Sequence, residues 1–234
     1  DYPTLNLRLA KQGRRFDCPV FFFISPQIWA WRKGRIRDIR KSVRKMFVIL
    51  PFEEKLYLDA GVDAEFLGHP FIDMVHPSRS REESQVKYSL EPGIKTIGIL
   101  PGSRMNEINS LLDVMVEAAD RIRNELGSCQ FLLPIADSID PDLIRERLGS
   151  NPLGIQLIQG EAYDVMNICD TVIIASGSAT LEAGILGCPM VIVYKLNPLT
   201  YWMARLLIKI PLVGLVNIVA GEEVVPELIQ DKVT

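Results

Sequence analysis

"TIGILPGSRMNEIN" occupies residues 96–109, and its reading decides the fold. Thr96–Leu100 is a short apolar run rich in β-branched residues, the pattern of a parallel strand buried on both faces. Pro101, Gly102 and Ser103 then end the strand, and Asn106 and Glu107 open an amphipathic stretch that continues to Leu126. Gly102 permits a tight turn. Ser103 or Asn106 is placed to cap the helix, and Glu107 suits a first turn, where a carboxylate meets the positive end of the helix dipole. A buried strand running straight into a helix is half of a parallel βαβ unit.

The same alternation extends in both directions. Strands are predicted at 21–24, 46–50, 64–67, 96–100, 131–134, 154–158, 171–175 and 190–194, and helices at 32–45, 52–60, 106–126, 141–148, 179–186 and 198–208. Strands alternating with helices imply a doubly wound α/β fold. The charged, Pro-bounded stretch "HPSRSREESQVKYSLEPG" at 76–93 reads as a linker, so the chain divides into an α/β unit at 1–75 and a second at 94–234.

Composition narrows the function classes. With 48% hydrophobic and 24% charged residues and a net charge of −3, the chain is globular and has no overall electrostatic pull toward nucleic acid. Cys18, Cys129, Cys169 and Cys188 lack paired C-x-x-C spacing and read as reduced core residues of a cytosolic protein. No signal peptide and no apolar run of about 18 residues is visible. The chain begins at Asp1 rather than Met and stops at Thr234 in what reads as a continuing helix, so a fragment of a longer protein is expected.

The turn at Pro101–Arg104 has the ingredients of a phosphate site: backbone N–H groups at a helix start and the paired donors of one guanidinium. The plainer reading is a capped turn with a solvent-exposed Arg104. A second turn, "ASGSATLE" at 175–182, also follows a predicted strand and opens a helix with small residues. If both turns lie at the carboxyl edge of one sheet, they converge where α/β folds bind ligands. Glu182, one turn into its helix, can accept from the two hydroxyls of a ribose, or is simply an exposed first-turn carboxylate. Neither turn matches G-x-x-x-x-G-K-[ST] or G-x-G-x-x-G, which disfavours an NTPase or a dehydrogenase and leaves a nucleotide-sugar.

Upstream, "SPQIWAWRKGRIRDIRKSVRK" at 25–45 joins Trp29 and Trp31 to a basic helix opposed only by Asp38. It reads as a contact for an anionic head group or phosphorylated substrate, or as a solvated face over packed tryptophans. His69 in "GHP" reads as a turn or packing residue. With only His69 and His76 present, no metal constellation is assigned. The apolar segment at 206–219 reads as core, with a lipid-contacting surface as the sharper alternative.

Taken together, "SPQIWAWRKGR", "LPFE", "GHP" with Asp73, "LPGSR" with Glu107, "SGSATLE" and "NIVAGEEVVPELIQD" resemble the lipid-A-disaccharide synthase family, glycosyltransferase family 19, over nearly the whole chain. The resemblance implies the GT-B architecture, two Rossmann-like domains facing a cleft, here lacking the first N-terminal strands and the last helices. It implies an inverting hexosyltransferase of lipid A, and hence lipopolysaccharide, biosynthesis, peripheral to the cytoplasmic face of the Gram-negative inner membrane. The donor would be UDP-2,3-diacylglucosamine and the acceptor the lipid 2,3-diacylglucosamine 1-phosphate, with no cofactor or metal, and a homodimer is implied.

Residue roles follow from the resemblance. Asp1, in "DYPTLN", falls on the family's catalytic base, while Thr4 and Leu5 depart from its usual acidic–aromatic pair. Arg104, with Gly102 and Ser103, would stabilise the departing UDP diphosphate. Ser176, Gly177 and Ser178 would present donors to the same phosphates, Glu182 would hold the ribose, and Asn217 would act in the cleft. A UDP-N-acetylglucosamine 2-epimerase-like enzyme and a non-catalytic UDP-binding fragment are the competing readings.

Overall fold

The computed structural model describes residues 2–30, 33–195 and 212–233. Asp1, Trp31, Arg32 and the predicted helix at 198–208 lie outside the described residues. The chain forms two compact units that divide between Ile72 and Asp73.

The first unit carries a three-stranded parallel sheet, β1 (Phe21–Phe23), β2 (Lys45–Val48) and β3 (Ala64–Phe66), in the order β1-β2-β3. Met46 in the middle strand pairs with Phe22 on one side and Ala64 on the other. The helices are α1 (Pro3–Arg15), α2 (Ile36–Ser42) and α3 (Pro51–Asp59), and Ile39, Met46, Val48 and Tyr57 are fully buried between helices and sheet. Proline starts both α1 and α3, where its fixed φ suits the first turn and its missing N–H costs nothing. α1 is a helix that sequence periodicity missed, since its buried side is only Leu7 and Ala10. A short helix α4 (Phe71–Met74) spans the division.

The second unit is built on six parallel strands: β4 (Lys95–Leu100), β5 (Cys129–Ile135), β6 (Gln156–Gln159), β7 (Thr171–Ala175), β8 (Met190–Tyr194) and β9 (Glu227–Ile229). Their order is β6-β5-β4-β7-β8-β9. The chain thus winds outward from β4 in one direction, returns, and winds outward from β7 in the other. Helices α6 (Met105–Leu126), α7 (Pro141–Leu148), α8 (Ala162–Ile168), α9 (Ser178–Ile185) and α10 (Leu215–Ala220) make the crossovers. Two apolar layers result, one around Ile99, Leu112 and Phe131 and the other around Val165, Val172 and Ile174.

Three expectations change. The stretch 76–93 is not a bare linker: it contains α5 (Arg81–Lys87), closed by a reciprocal capping box between Ser80 and Glu83 and packed on α8. Asp164, 3% exposed on α8, receives the Arg79 N–H and guanidinium, each at 2.9 Å, and Tyr88 donates to Glu161 at 2.8 Å. A charged, Pro-flanked sequence imitates a linker because its partners lie more than seventy residues away. The chain end is not a continuing helix, since β9 and a single 3-10 turn occupy 227–232. Cys18 is exposed rather than in the core, whereas Cys169 and Cys188 are buried and Cys129 is half-buried, all as free thiols.

Candidate functional site

Strand order decides where the turns meet. β4 and β7 are neighbours from which the sheet grows in opposite directions, so the loops leaving their carboxyl ends diverge and leave a crevice. Pro101–Arg104 leaves β4 at Leu100, and Ser176–Gly177 leaves β7 at Ala175. Both line one cavity of about 420 Å³, within the range of small-ligand sites. Gly102, Ser103, Arg104, Ser176, Gly177, Ser178 and Glu182 all contribute to its wall. Seven predicted donor-site residues from segments seventy positions apart therefore share one concavity.

Within it the donors are arranged differently from expectation. Helix α6 begins at Met105 with Arg104 at the N-cap, so neither Ser103 nor Asn106 is the cap. The cap is Glu107: its carboxylate accepts the N–H of Ser103 at 3.1 Å and of Arg104 at 3.3 Å. The Arg104 guanidinium, 80% exposed at the cavity rim, donates to the same carboxylate at 2.9 Å. Gly102 adopts φ +114°, and a Cβ there would sit 2.3 Å from Glu107 Oε2, so glycine is required for the carboxylate to fold back under the turn.

At the second turn Ser176 is not a phosphate donor in this arrangement. Its N–H goes to the Val193 carbonyl at 3.0 Å and its hydroxyl to the Val213 carbonyl at 2.9 Å, which pins the turn to the neighbouring strand and to the segment before α10. The N–H groups of Gly177, Ser178 and Ala179 find no acceptor among the described residues, as the first turn of a helix leaves them, and they open α9 toward the cavity. Thr180, fully buried, closes the helix start by donating its hydroxyl to the Gly177 carbonyl at 2.8 Å.

Glu182 is half-buried, and burial pushes its carboxyl above the ordinary range while a 3.1 Å hydrogen bond from the Tyr163 hydroxyl opposes the rise. Asp137 at the end of β5 and Gly160 at the end of β6 also reach the cavity. Sequence reasoning missed Asp137, Gly160 and Tyr163. The signal was the small, polar sequence after each apolar run, "ADS" and "QGE".

Asn217 is not brought to the cavity. It is fully buried on α10, donating to the Val225 carbonyl and to Glu227 Oε1, both at 2.8 Å, and accepting the N–H groups of Val224 at 3.0 Å and Val225 at 3.1 Å. Glu227 in turn accepts the N–H groups of Val213 and Gly214 at 2.8 Å. The catalytic role expected for Asn217 is replaced by a bracing one, because all its polar atoms are spent on the chain itself. Asp1, the other expected catalytic residue besides Arg104, lies outside the described residues.

The first unit gathers the remaining motifs at one edge. The loops after β1, β2 and β3 contain "SPQIW", "LPFE" and "GHP". Glu53, 1% exposed, accepts from Ser25 Oγ at 2.6 Å, the Trp29 indole at 3.0 Å and the Leu50 N–H at 3.3 Å, and burial raises its carboxyl above the ordinary value. Trp29 also packs edge-on against Phe52. His69 Nδ1 accepts the Phe71 N–H at 3.1 Å, and burial lowers the imidazole, so the neutral ring carries its proton on Nε2.

A sequence model of the lipid-A-disaccharide synthetase family matches residues 1–234. The chain belongs to that family. Among relatives named lipid-A-disaccharide synthase, that of Syntrophus aciditrophicus is 46% identical over 98% of this chain and 60% of its own length. That of Geobacter sulfurreducens is 45% identical over 99% of this chain and 60% of its own. The chain thus spans about three fifths of the curated relatives it matches. Two solved structures share the fold at low identity. The S. aureus MnaA–UDP co-structure matches with TM-score 0.58 and 12% identity over 91% of this chain and 61% of that one. The UDP-GlcNAc 2-epimerase from Neisseria meningitidis bound to UDP-GlcNAc matches with TM-score 0.55 and 13% identity over 92% and 63%. The α/β class with two parallel-sheet units, expected for the family, is the one observed.

Proposed function

We propose that the full-length protein is an inverting, UDP-sugar-dependent glycosyltransferase of lipid A biosynthesis. It moves 2,3-diacylglucosamine from UDP-2,3-diacylglucosamine to the 6-hydroxyl of 2,3-diacylglucosamine 1-phosphate, giving UDP and the β-1,6-linked lipid A disaccharide 1-phosphate. The observation that carries this reading is the pair of helix starts at the carboxyl ends of β4 and β7, lining one cavity with Glu182, in a member of this family.

The second unit is the donor side. The amides of Gly177, Ser178 and Ala179 and the guanidinium of Arg104 take the diphosphate, with the positive ends of α6 and α9 behind them. These charges stabilise UDP as it leaves, and the reaction needs no metal and no cofactor. Glu182, held by Tyr163, accepts from the ribose hydroxyls. Asp1 removes the proton from the attacking hydroxyl, and Asn217 holds the segment that pins Ser176.

For the acylated substrates we propose a peripheral site at the cytoplasmic face of the inner membrane. Support comes from the first unit, where Arg8, Arg14, Arg15, Arg37 and Lys41 are exposed on the packed helices α1 and α2, beside Leu9 and Phe16 at 60% and 82% exposure. No described helix is long and apolar enough to cross a membrane. A homodimer is part of the same proposal, on the family resemblance alone.

The test is UDP release by the full-length protein from UDP-2,3-diacylglucosamine in detergent and EDTA, with and without the lipid acceptor. Release that requires acceptor and survives EDTA is expected. Turnover of unacylated UDP-N-acetylglucosamine without acceptor would replace this reading by an epimerase-like one.

A further inference from the structure

The Glu107 carboxylate is more than a helix cap. A capping-box residue at this position returns one hydrogen bond to the N-cap N–H. Glu107 accepts two backbone N–H groups, those of Ser103 and Arg104, and the Arg104 guanidinium besides. Two amides and a guanidinium converging on one pair of oxygens form the donor set of an oxyanion site. The turn is shaped for that occupant, since only glycine at 102 leaves room for Glu107 Oε2. Glu107 also lines the cavity that Ser178 and Glu182 line.

We propose that Glu107 is a positioning residue that stands in for the donor's diphosphate: it preorganises the Pro101–Arg104 turn around a carboxylate and surrenders Arg104 and the turn amides when the diphosphate arrives. The inference rests on the UDP reading above. Two anionic groups cannot share these donors, because like charges a few Å apart repel and each needs the same N–H groups. Arg104 is the group that changes partner. Its side chain is 80% exposed, so turning it from Glu107 toward a phosphate gives up little packing.

The mechanism makes Glu107 a competitor of phosphate and not of uridine, which separates it from a structural cap. Glu107→Gln keeps the capping shape, since glutamine serves at the same position, and removes the charge. With the full-length protein, calorimetric titration of UDP and of uridine is the readout. Freeing the Arg104 guanidinium from one unit charge about 4 Å away in water-like surroundings predicts UDP binding about fivefold tighter in Glu107→Gln, with uridine unchanged. In the double variant R104A/E107Q the gain disappears relative to R104A, because the released guanidinium is what the diphosphate gains. UDP binding that is unchanged or weaker in Glu107→Gln, or tightened equally for UDP and uridine, overturns the proposal and makes Glu107 a cap. If the wild-type protein binds neither UDP nor uridine, the nucleotide reading itself falls, and this proposal with it.

Discussion

Asn217→Ala should behave as a stability variant of the second unit. The side chain is fully buried and makes four hydrogen bonds, to the N–H groups of Val224 and Val225, the Val225 carbonyl and Glu227 Oε1. Alanine removes all four. At about 1 kcal/mol net for each bond, the loss is about 4 kcal/mol, and the Glu227 contact, made to a carboxylate, lies at the upper end of that scale. With a urea slope of about 2 kcal/mol/M, the unfolding midpoint should fall by about 2 M. Asn217→Asp should be worse at neutral pH, since it sets a second carboxylate 2.8 Å from Glu227 and from a carbonyl oxygen. That variant should regain part of its stability at acid pH, as protonation restores a donor. Equilibrium urea denaturation of the three proteins at pH 5 and pH 7.5 is the assay. Wild-type stability in Asn217→Ala combined with abolished turnover would refute the bracing assignment and return Asn217 to the chemistry.

Gly102→Ala should weaken UDP binding by tenfold or more, and cost about 1–2 kcal/mol of stability, because the new Cβ meets Glu107 Oε2 at 2.3 Å in a backbone conformation with φ +114°; titration calorimetry beside thermal denaturation checks both, and unchanged UDP affinity would mean the turn does not carry phosphate. Glu53 is raised above its ordinary 4.5 by burial, so its contribution to stability is present in full below that value and is lost as pH rises through the higher folded-state value. Glu53→Gln should therefore lose less stability than wild type between pH 4.5 and neutrality, measured by urea midpoints, and parallel pH profiles would contradict the buried-carboxylate account.

Much of this architecture is written locally. The runs at 96–100, 171–175 and 190–194 read as buried strands because they are apolar, only five residues long and rich in β-branched side chains. The turns that follow β4 and β7 carried their helix starts in plain sight. Some short elements were not legible: α5 and α8 span seven residues each, too few for a helical period to register, and β9, three residues directly after Pro226, lacks the continuous apolar run that marked the equally short β1. The bracing of Asn217 was hidden for a different reason. A motif such as N-x-x-A-G marks a constrained residue, and the same amide serves chemistry or chain geometry depending on whether its four hydrogen-bonding positions face a cavity or the backbone.

The sequence by itself determined the α/β class, the positions of the turns and the family, because those depend on neighbours within a few residues and on residue order. Only the tertiary structure decided that the turns after β4 and β7 share a cavity, since that requires the β6-β5-β4-β7-β8-β9 order, set by long-range strand pairing. It also decided who holds the donors. Ser176 answers to Val193 and Val213, and Arg104 to Glu107, because a hydrogen bond goes to whichever acceptor the packed chain brings within about 3 Å.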